Sequence, residues 1–228
     1  MVPPPGNSDL DHWSFLYKVL ICRSRYFDKS TSKLYYWPNS TDSSSEIVAP
    51  LLDSIVSIDG ASEVTFSGFE FTETRATYLE QYEVPSGGDW SIHRGAAFFV
   101  QDSSMINISN CVFNQIGGNA VLLSNDVTDT TITHSEFVLI GDSAIATLGK
   151  TDLIFGTAPT FPNRIHITNN HIHEVGVYGK QTSCYFQALA ANVTLRNNLC
   201  YNGPRAGINW NDGFAGNNLI EGNLVSNW

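Results

Sequence analysis

Apolar residues recur along the chain at offsets 0, 2, 5 and 7. In "VTFSGFEF" they are Val64, Phe66, Phe69 and Phe71, and in "INISNCVF" they are Ile106, Ile108, Cys111 and Phe113. "TITHSEF" follows with Ile132, Ser135 and Phe137, then "IHITNNHI" with Ile165, Ile167, Asn170 and Ile172. "VTLRNNLC" gives Val193, Leu195, Asn198 and Cys200, and "NLIEGNLV" gives Ile220, Asn223 and Val225. The copies begin at 64, 106, 130, 165, 193 and 218, so their starts differ by 42, 24, 35, 28 and 25 residues. A base period of about 24 residues with insertions predicts an all-β parallel solenoid of about six coils, its insertions emerging as loops.

A second set of short strands precedes the copies. Alternation with period 2 sends Val56 and Ile58, Phe98 and Val100, Val121 and Leu123, Ile145 and Thr147, Cys184 and Phe186, and Ile208 and Trp210 inward. It leaves Ser57, Phe99, Leu122, Ala146, Tyr185 and Asn209 on the outer face. Asn170, Asn198 and Asn223 share one slot, where stacked amides can bond along the axis at about 4.8 Å. In "NRIHITNNHIHEVG" the same register turns His166, His171 and His173 outward. Only Glu174 stands near enough in sequence to complete a ligand set, so surface histidines and no metal are expected. Upstream, "RYFDKSTSKLYYWP" carries two aromatic runs around a polar turn and predicts a hairpin docked on the first coil. The expected organisation is an N-terminal extension over 1–23, a hairpin or cap region over 24–50, and the solenoid over 51–228.

Composition narrows the function. With 228 residues, 42% of them hydrophobic, the chain can bury one sizeable core. A net charge of −10 argues against nucleic acid as partner, because phosphate binding needs a basic stripe. "FLYKVLIC" is interrupted by Lys18 and far shorter than the roughly 20 residues of a membrane span. The opening "MVPPPGNSDLDHW" lacks the basic and apolar regions of a signal peptide, although Asn39, Asn107 and Asn192 begin glycosylation sequons. Cys22, Cys111, Cys184 and Cys200 form no Cys-x-x-Cys pair and are read as buried free thiols, with a Cys184–Cys200 disulfide as the alternative.

Several stretches carry a resemblance: "FDKSTSKLYYWP", "IVAPLLDSIVSIDGASEVTFSGFEF", "GDW" at 88–90, "GGNAVLL" at 117–123, and "YGKQTSCYFQALAANVTLRNNLCYNGPRAGINWNDG" at 178–213. They resemble right-handed parallel β-helix proteins of the pectate-lyase type, above all the β-helix glycoside hydrolases that include α-L-fucosidases and xylanases. The likeness runs from about residue 24 to the end and is most specific over 178–213. It implies an extracellular carbohydrate-active protein. Members of that group usually carry an additional N-terminal segment and further coils, so the chain is expected to be a fragment, incomplete at its C-terminal edge.

Sugar sites use aromatic faces for the apolar side of the ring, amides and guanidinium groups for hydroxyls, and carboxylates for cleavage. The predicted outer face and its turns offer Lys180, Gln181, Tyr185, Gln187, Arg205, Asn209 and Asn211 as substrate-binding residues, the competing reading being a solvated sheet. Glycosidic cleavage needs two carboxyl groups, about 5 to 5.5 Å apart for retention or about 6.5 to 9.5 Å for inversion. Asp212 is the first catalytic candidate, its partner expected from a coil beyond Trp228, and Asp89 on the 72–95 insertion is the second. Asp102 and Asp126, following the same strand on adjacent coils, are a further pair. No G-x-S-x-G, Walker or G-x-G-x-x-G motif occurs, and no cofactor is expected. The leading expectation is a glycoside hydrolase or a piece of one acting on a plant or algal polysaccharide. A non-catalytic glycan-binding or structural β-helix comes second, and a polysaccharide lyase using Lys180 and Arg205 third.

Overall fold

In a computed structural model of the protein, residues 25–36, 48–85, 90–150, 160–211 and 216–228 are described. The chain divides into two compact units, Met1–Val48 and Ala49–Trp228.

The first unit contains an antiparallel hairpin of β1 (Arg25–Asp28) and β2 (Lys33–Tyr36), with Tyr26 opposite Tyr35. Asp28 closes its turn by accepting bonds from the Ser30 amide at 2.9 Å and from the Ser30 and Thr31 hydroxyls at 2.7 Å. Those hydroxyls hold its carboxyl down at about 2.

The second unit is a parallel β-helix. Its first sheet stacks β3 (Val56–Asp59), β6 (Ala96–Gln101), β9 (Asn119–Ser124), β12 (Ile145–Leu148), β15 (Ser183–Ala188) and β18 (Ala206–Trp210). The second stacks β4 (Ser62–Ser67), β7 (Ser104–Ser109), β10 (Thr128–Thr133), β13 (Asn163–Thr168), β16 (Ala191–Arg196) and β19 (Leu219–Glu221). The third stacks β5 (Glu70–Thr72), β8 (Val112–Asn114), β11 (Glu136–Ile140), β14 (His171–Val175), β17 (Leu199–Tyr201) and β20 (Leu224–Ser226). One strand from each sheet makes a coil, which gives the six coils the repeat predicts.

The inward files follow the predicted register. Ile108 pairs with Ile132, Ile132 with Ile167, and Ile167 with Leu195. Phe71, Phe113 and Phe137 occupy one slot of the third sheet, their rings stacked at 4.9 and 4.7 Å. Identical flat rings repeat here because neighbouring coils present them at the strand spacing, which suits offset stacking.

The corner between the second and third sheets explains the paired Asn-Asn and Gly-Asn steps of the sequence. Gly68, Asn110, His134, Asn169, Asn197 and Gly222 each precede the residue at offset 5, the third of the four positions, and all have positive φ, between 51° and 76°. One left-handed residue per coil makes the bend, and Gly and Asn tolerate that region best. The next residue ties coils together. Asn198 Oδ1 accepts from the Asn170 amide and side chain at 3.0 and 3.1 Å, and Asn223 Oδ1 accepts from Asn198 in the same way at 2.9 Å. The ladder continues through Ser135, whose amide donates to Asn170 Oδ1 and whose hydroxyl accepts from the Cys111 amide.

Two expectations are corrected. In the first sheet Val56, Phe98, Val121 and Ile145 stack as predicted, but the next residue in that file is Tyr185, not Cys184. The stretch "SCYFQALA" offers no clean alternation, and hydrogen bonding decides: Tyr185 Oη meets Thr147 Oγ1 at 2.7 Å and donates to Gln187 Oε1 at 2.9 Å inside the core. Phe186 therefore faces outward, beside Ala146 and Asn209. The thiols are corrected too. Cys184 and Cys200 form a disulfide between the first and third sheets across 16 residues of sequence, while Cys111 is free and buried. Cys22 lies outside the described residues.

Candidate functional site

The outer face of the first sheet is built for a cover. Phe99, Leu122, Ala146 and Phe186 form its outward file, and leaving those side chains in water would forgo roughly 1.5–3 kcal/mol for each large one. The insertion between β5 and β6 supplies the cover. Trp90 and Ile92, 3% and 2% exposed, join Leu122, Leu148 and Phe186 in a second apolar cluster outside the barrel. Trp90 stacks on Phe186 at 5.8 Å, and the Arg205 guanidinium lies 4.7 Å from the Trp90 ring. Arg94 pins the insertion. It donates to Glu83, to Ser124 Oγ and to the Gly149 carbonyl at 2.7, 2.7 and 2.9 Å.

This cover changes the predicted polyol-binding face. Tyr185 and Gln187 belong to the core, and burial pushes the Tyr185 phenol upward. Gln187 donates to the Ala190 carbonyl at 2.9 Å. Lys180 donates to the carbonyls of Gly176 and Val177, and Gln181 accepts from the Ser91 amide and hydroxyl. Asn209 lies outward next to Phe186, half-buried, and Asn211 is buried, its amide donating to the Gln187 carbonyl. Lys180, Gln181 and Arg205 thus serve the insertion and its flanking turns. Asp212 and Asp89 lie outside the described residues. Asp102 and Asp126 are adjacent but not in one slot. Gln101 pairs with Ser124, so Asn125 follows in the Asp102 position, and the Asp126 amide donates to Asp102 Oδ1 at 3.1 Å.

The structure instead brings together polar residues under the edge of the insertion. A pocket of about 140 Å³ is lined by Asp53, Ser57, Thr77, His93, Arg94 and Asn119, among others. Arg75 grips Asp53 through two nitrogens and holds its carboxyl below the ordinary carboxylate range. Asp142, at the turn from the third sheet to the first, is driven the other way. Burial raises its carboxyl, against the opposing bond that Tyr82 Oη donates to Oδ2 at 2.8 Å. His93 is close enough to lower both carboxyls electrostatically. Next to this turn two exposed rings, Tyr78 and Tyr178, stack at 5.6 Å with planes 30° apart. Sequence reasoning missed this group because Asp53, Tyr82, His93 and Asp142 come from a pre-strand segment, an insertion and a turn, none of them within the repeat.

The outer face of the third sheet carries a second polar group. His171 and His173 do point outward here, as does His166, which is exposed on the second sheet. His171 and His173 are not isolated, however. Glu136 pairs with His171 in register on the preceding coil, and its Oε1 lies 3.2 Å from His173 Nε2 and 3.5 Å from His171 Nδ1. The expected absence of a metal rested on Glu174 as the lone carboxylate; the register adds Glu136, giving three groups able to hold an ion.

Residues 54–228 match the family model described as "Right handed beta helix region". The chain belongs to the right-handed β-helix family. A solved structure described as a glycoside hydrolase resembles this β-helix with a TM-score of 0.68 over 81% of the chain, at 18% identity. The chain spans 38% of that structure's length. No curated protein matches the sequence. Among the described residues, no helix is long and apolar enough to cross a membrane.

Proposed function

We propose that this β-helix protein is carbohydrate-active and of the glycoside hydrolase type, binding its glycan along the edge of the insertion. The observation that carries the reading is the exposed stack of Tyr78 on Tyr178 beside the turn where Tyr82 donates to Asp142, with Asp53 and His93 lining the pocket at the edge of the insertion. Glycosidic cleavage calls for one carboxyl that keeps its proton and one that stays ionised. Asp142 suits the general acid, and Asp53, clamped by Arg75, suits the ionised partner that stabilises positive charge on the sugar ring. Tyr78 and Tyr178 offer faces on which a pyranose can stack. The resemblance of the sequence to secreted glycan-degrading enzymes supports an extracellular setting and a plant or algal polysaccharide. A lyase fits less well, because Lys180 is engaged with backbone carbonyls and Arg205 with Trp90.

A non-catalytic glycan-binding role is the second reading, favoured by the apolar cover over the centre of the first sheet. The test scores binding on a glycan array and release of reducing ends from fucosylated pectin, xylan and alginate. Asp53→Asn and Asp142→Asn should each lower turnover by about 10²–10⁴ while binding survives, and Tyr178→Ala should weaken binding. Loss of turnover in Asp89→Asn or Asp212→Asn alone would move the chemistry to those aspartates. Binding without turnover in the wild type would establish the second reading.

A further inference from the structure

We infer that Glu136, His171 and His173 form a binding site for a divalent transition-metal ion of the zinc class on the outer face of the third sheet. This inference is independent of the glycan reading. Glu136 sits on β11 and both histidines on β14, so an ion here would join the third and fourth coils. Glu136, His171 and His173 each offer one ligand atom, and these three atoms lie within 4.8 Å of one another. Tetrahedral zinc with N and O ligands at about 2.1 Å requires ligand atoms about 3.4 Å apart. The carboxylate lies 3.2 and 3.5 Å from the two nitrogens, so those separations already match.

What separates this group from an ordinary surface cluster is the support behind each ligand. A histidine that binds metal through one nitrogen usually engages the other with a carboxylate, carbonyl or hydroxyl, which fixes the tautomer and the ring plane. Both rings have such a partner here. His173 Nδ1 is hydrogen-bonded to Glu174 Oε2, and Glu174 is held in turn by Asn202, whose amide donates to Oε1 at 2.7 Å. His171 Nε2 meets Tyr201 Oη at 3.0 Å. The Tyr201 ring also stacks on His173 at 5.0 Å, with the planes 6° apart, so one tyrosine from the fifth coil orients both histidines. With Nδ1–H of His173 given to Glu174, the Nε2 lone pair faces Glu136 Oε1, an arrangement that a cation between them satisfies. Imidazole with a carboxylate suits zinc and its neighbours in the transition series better than calcium or magnesium, which favour all-oxygen sites. Three protein ligands leave a fourth position for water.

The experiment titrates the full chain, stripped with chelator, with Zn²⁺ by calorimetry and counts retained metal after dialysis. The expected result is one ion per chain with affinity in the micromolar range or tighter, an upward shift in Tm at saturating zinc, and a visible absorption band for Co²⁺ in the same site. Glu136→Gln and His173→Gln should abolish stoichiometric retention. Glu174→Gln, which leaves the ligands in place, should weaken affinity about 10- to 100-fold. His166→Asn, on the exposed face of the second sheet, should change nothing, and circular dichroism confirms that each variant is folded. Affinity no tighter than millimolar, or an equal loss in His166→Asn and His173→Gln, would overturn the proposal and leave an ion-paired histidine cluster.

Discussion

Truncating one rung of the asparagine ladder tests whether that ladder holds the coils together or merely decorates them. Asn198→Ala removes four side-chain hydrogen bonds. Two were accepted by Oδ1, from the Asn170 amide and side chain, and two were donated by Nδ2, to the Ile167 carbonyl and to Asn223 Oδ1. Some groups keep another partner: Asn170 Nδ2 still reaches the Ile132 carbonyl at 3.0 Å, and Asn223 Oδ1 still accepts from the residue-198 amide at 2.9 Å. The Asn170 amide does not. It belongs to a residue 2% exposed, and a buried donor left unsatisfied costs about 1–3 kcal/mol. Adding the weaker net loss of the three remaining bonds, about 0.5–1.5 kcal/mol each, the expected destabilisation is about 3–7 kcal/mol. That is a large part of a typical stability of about 5–15 kcal/mol.

The protein contains its own control. Ser135 occupies the same slot and satisfies the Cys111 amide through its hydroxyl at 3.1 Å, so Asn198→Ser should recover about half the loss. Urea unfolding followed by circular dichroism measures both variants, and hydrogen exchange at the Asn170 amide reports the rung itself. A cost for Asn198→Ala below about 0.5 kcal/mol, or no difference between Ala and Ser, would refute the reasoning.

Reducing the Cys184–Cys200 bond, which closes 16 residues, should lower stability by about 3 kcal/mol in a thermal melt with and without reductant. Trp90→Ala should cost about 3 kcal/mol and open the insertion, read as faster proteolysis between residues 73 and 95, because Trp90 covers Phe186 and carries Arg205. For Asp142, burial raises the folded-state pKa above the ordinary 3.8. The stabilisation is therefore complete below the unfolded value and is lost as pH rises through the folded one. Asp142→Asn, which cannot ionise, should flatten that decline, whose slope is limited to about 1.4 kcal/mol per pH unit. An unchanged pH profile in the variant would contradict the assigned shift.

The repeat was legible because each coil solves the same packing problem with the same residue types. Isoleucine and phenylalanine fill the inward files of the second and third sheets, and asparagine fills the slot where an inward polar group can bond along the axis. The first sheet was harder. Its strands β9, β12 and β15 are buried on both faces, so the contrast that reveals register disappears, and period-2 alternation places "SCYFQALA" one residue out of phase. That single slip reversed Tyr185 and Gln187 from the surface to the core, since a one-residue shift in a strand exchanges its faces.

Site residues were less legible for a related reason. The repeat fixes where a side chain points, but not what an insertion lays over it. Glu136 was recoverable, because it precedes Phe137 in the copy before His171 and Ile172, so aligning two copies sets it beside His171. Asp142 and Tyr82 were not, since 60 residues separate them and their contact depends on how the 73–95 segment folds back. The same distinction orders the two sites by what could displace them. The metal ligands stand on strands whose register is locked by the isoleucine and asparagine files beneath, so changing the insertion should leave zinc binding intact. The carboxyls Asp53 and Asp142 take their partners Arg75 and Tyr82 from the insertion, which Arg94 and Trp90 hold down. Trp90→Ala should therefore abolish the turnover proposed for the carboxyl pair while zinc is retained, and loss of both together would mean that the outer surfaces of the first and third sheets are coupled through the core.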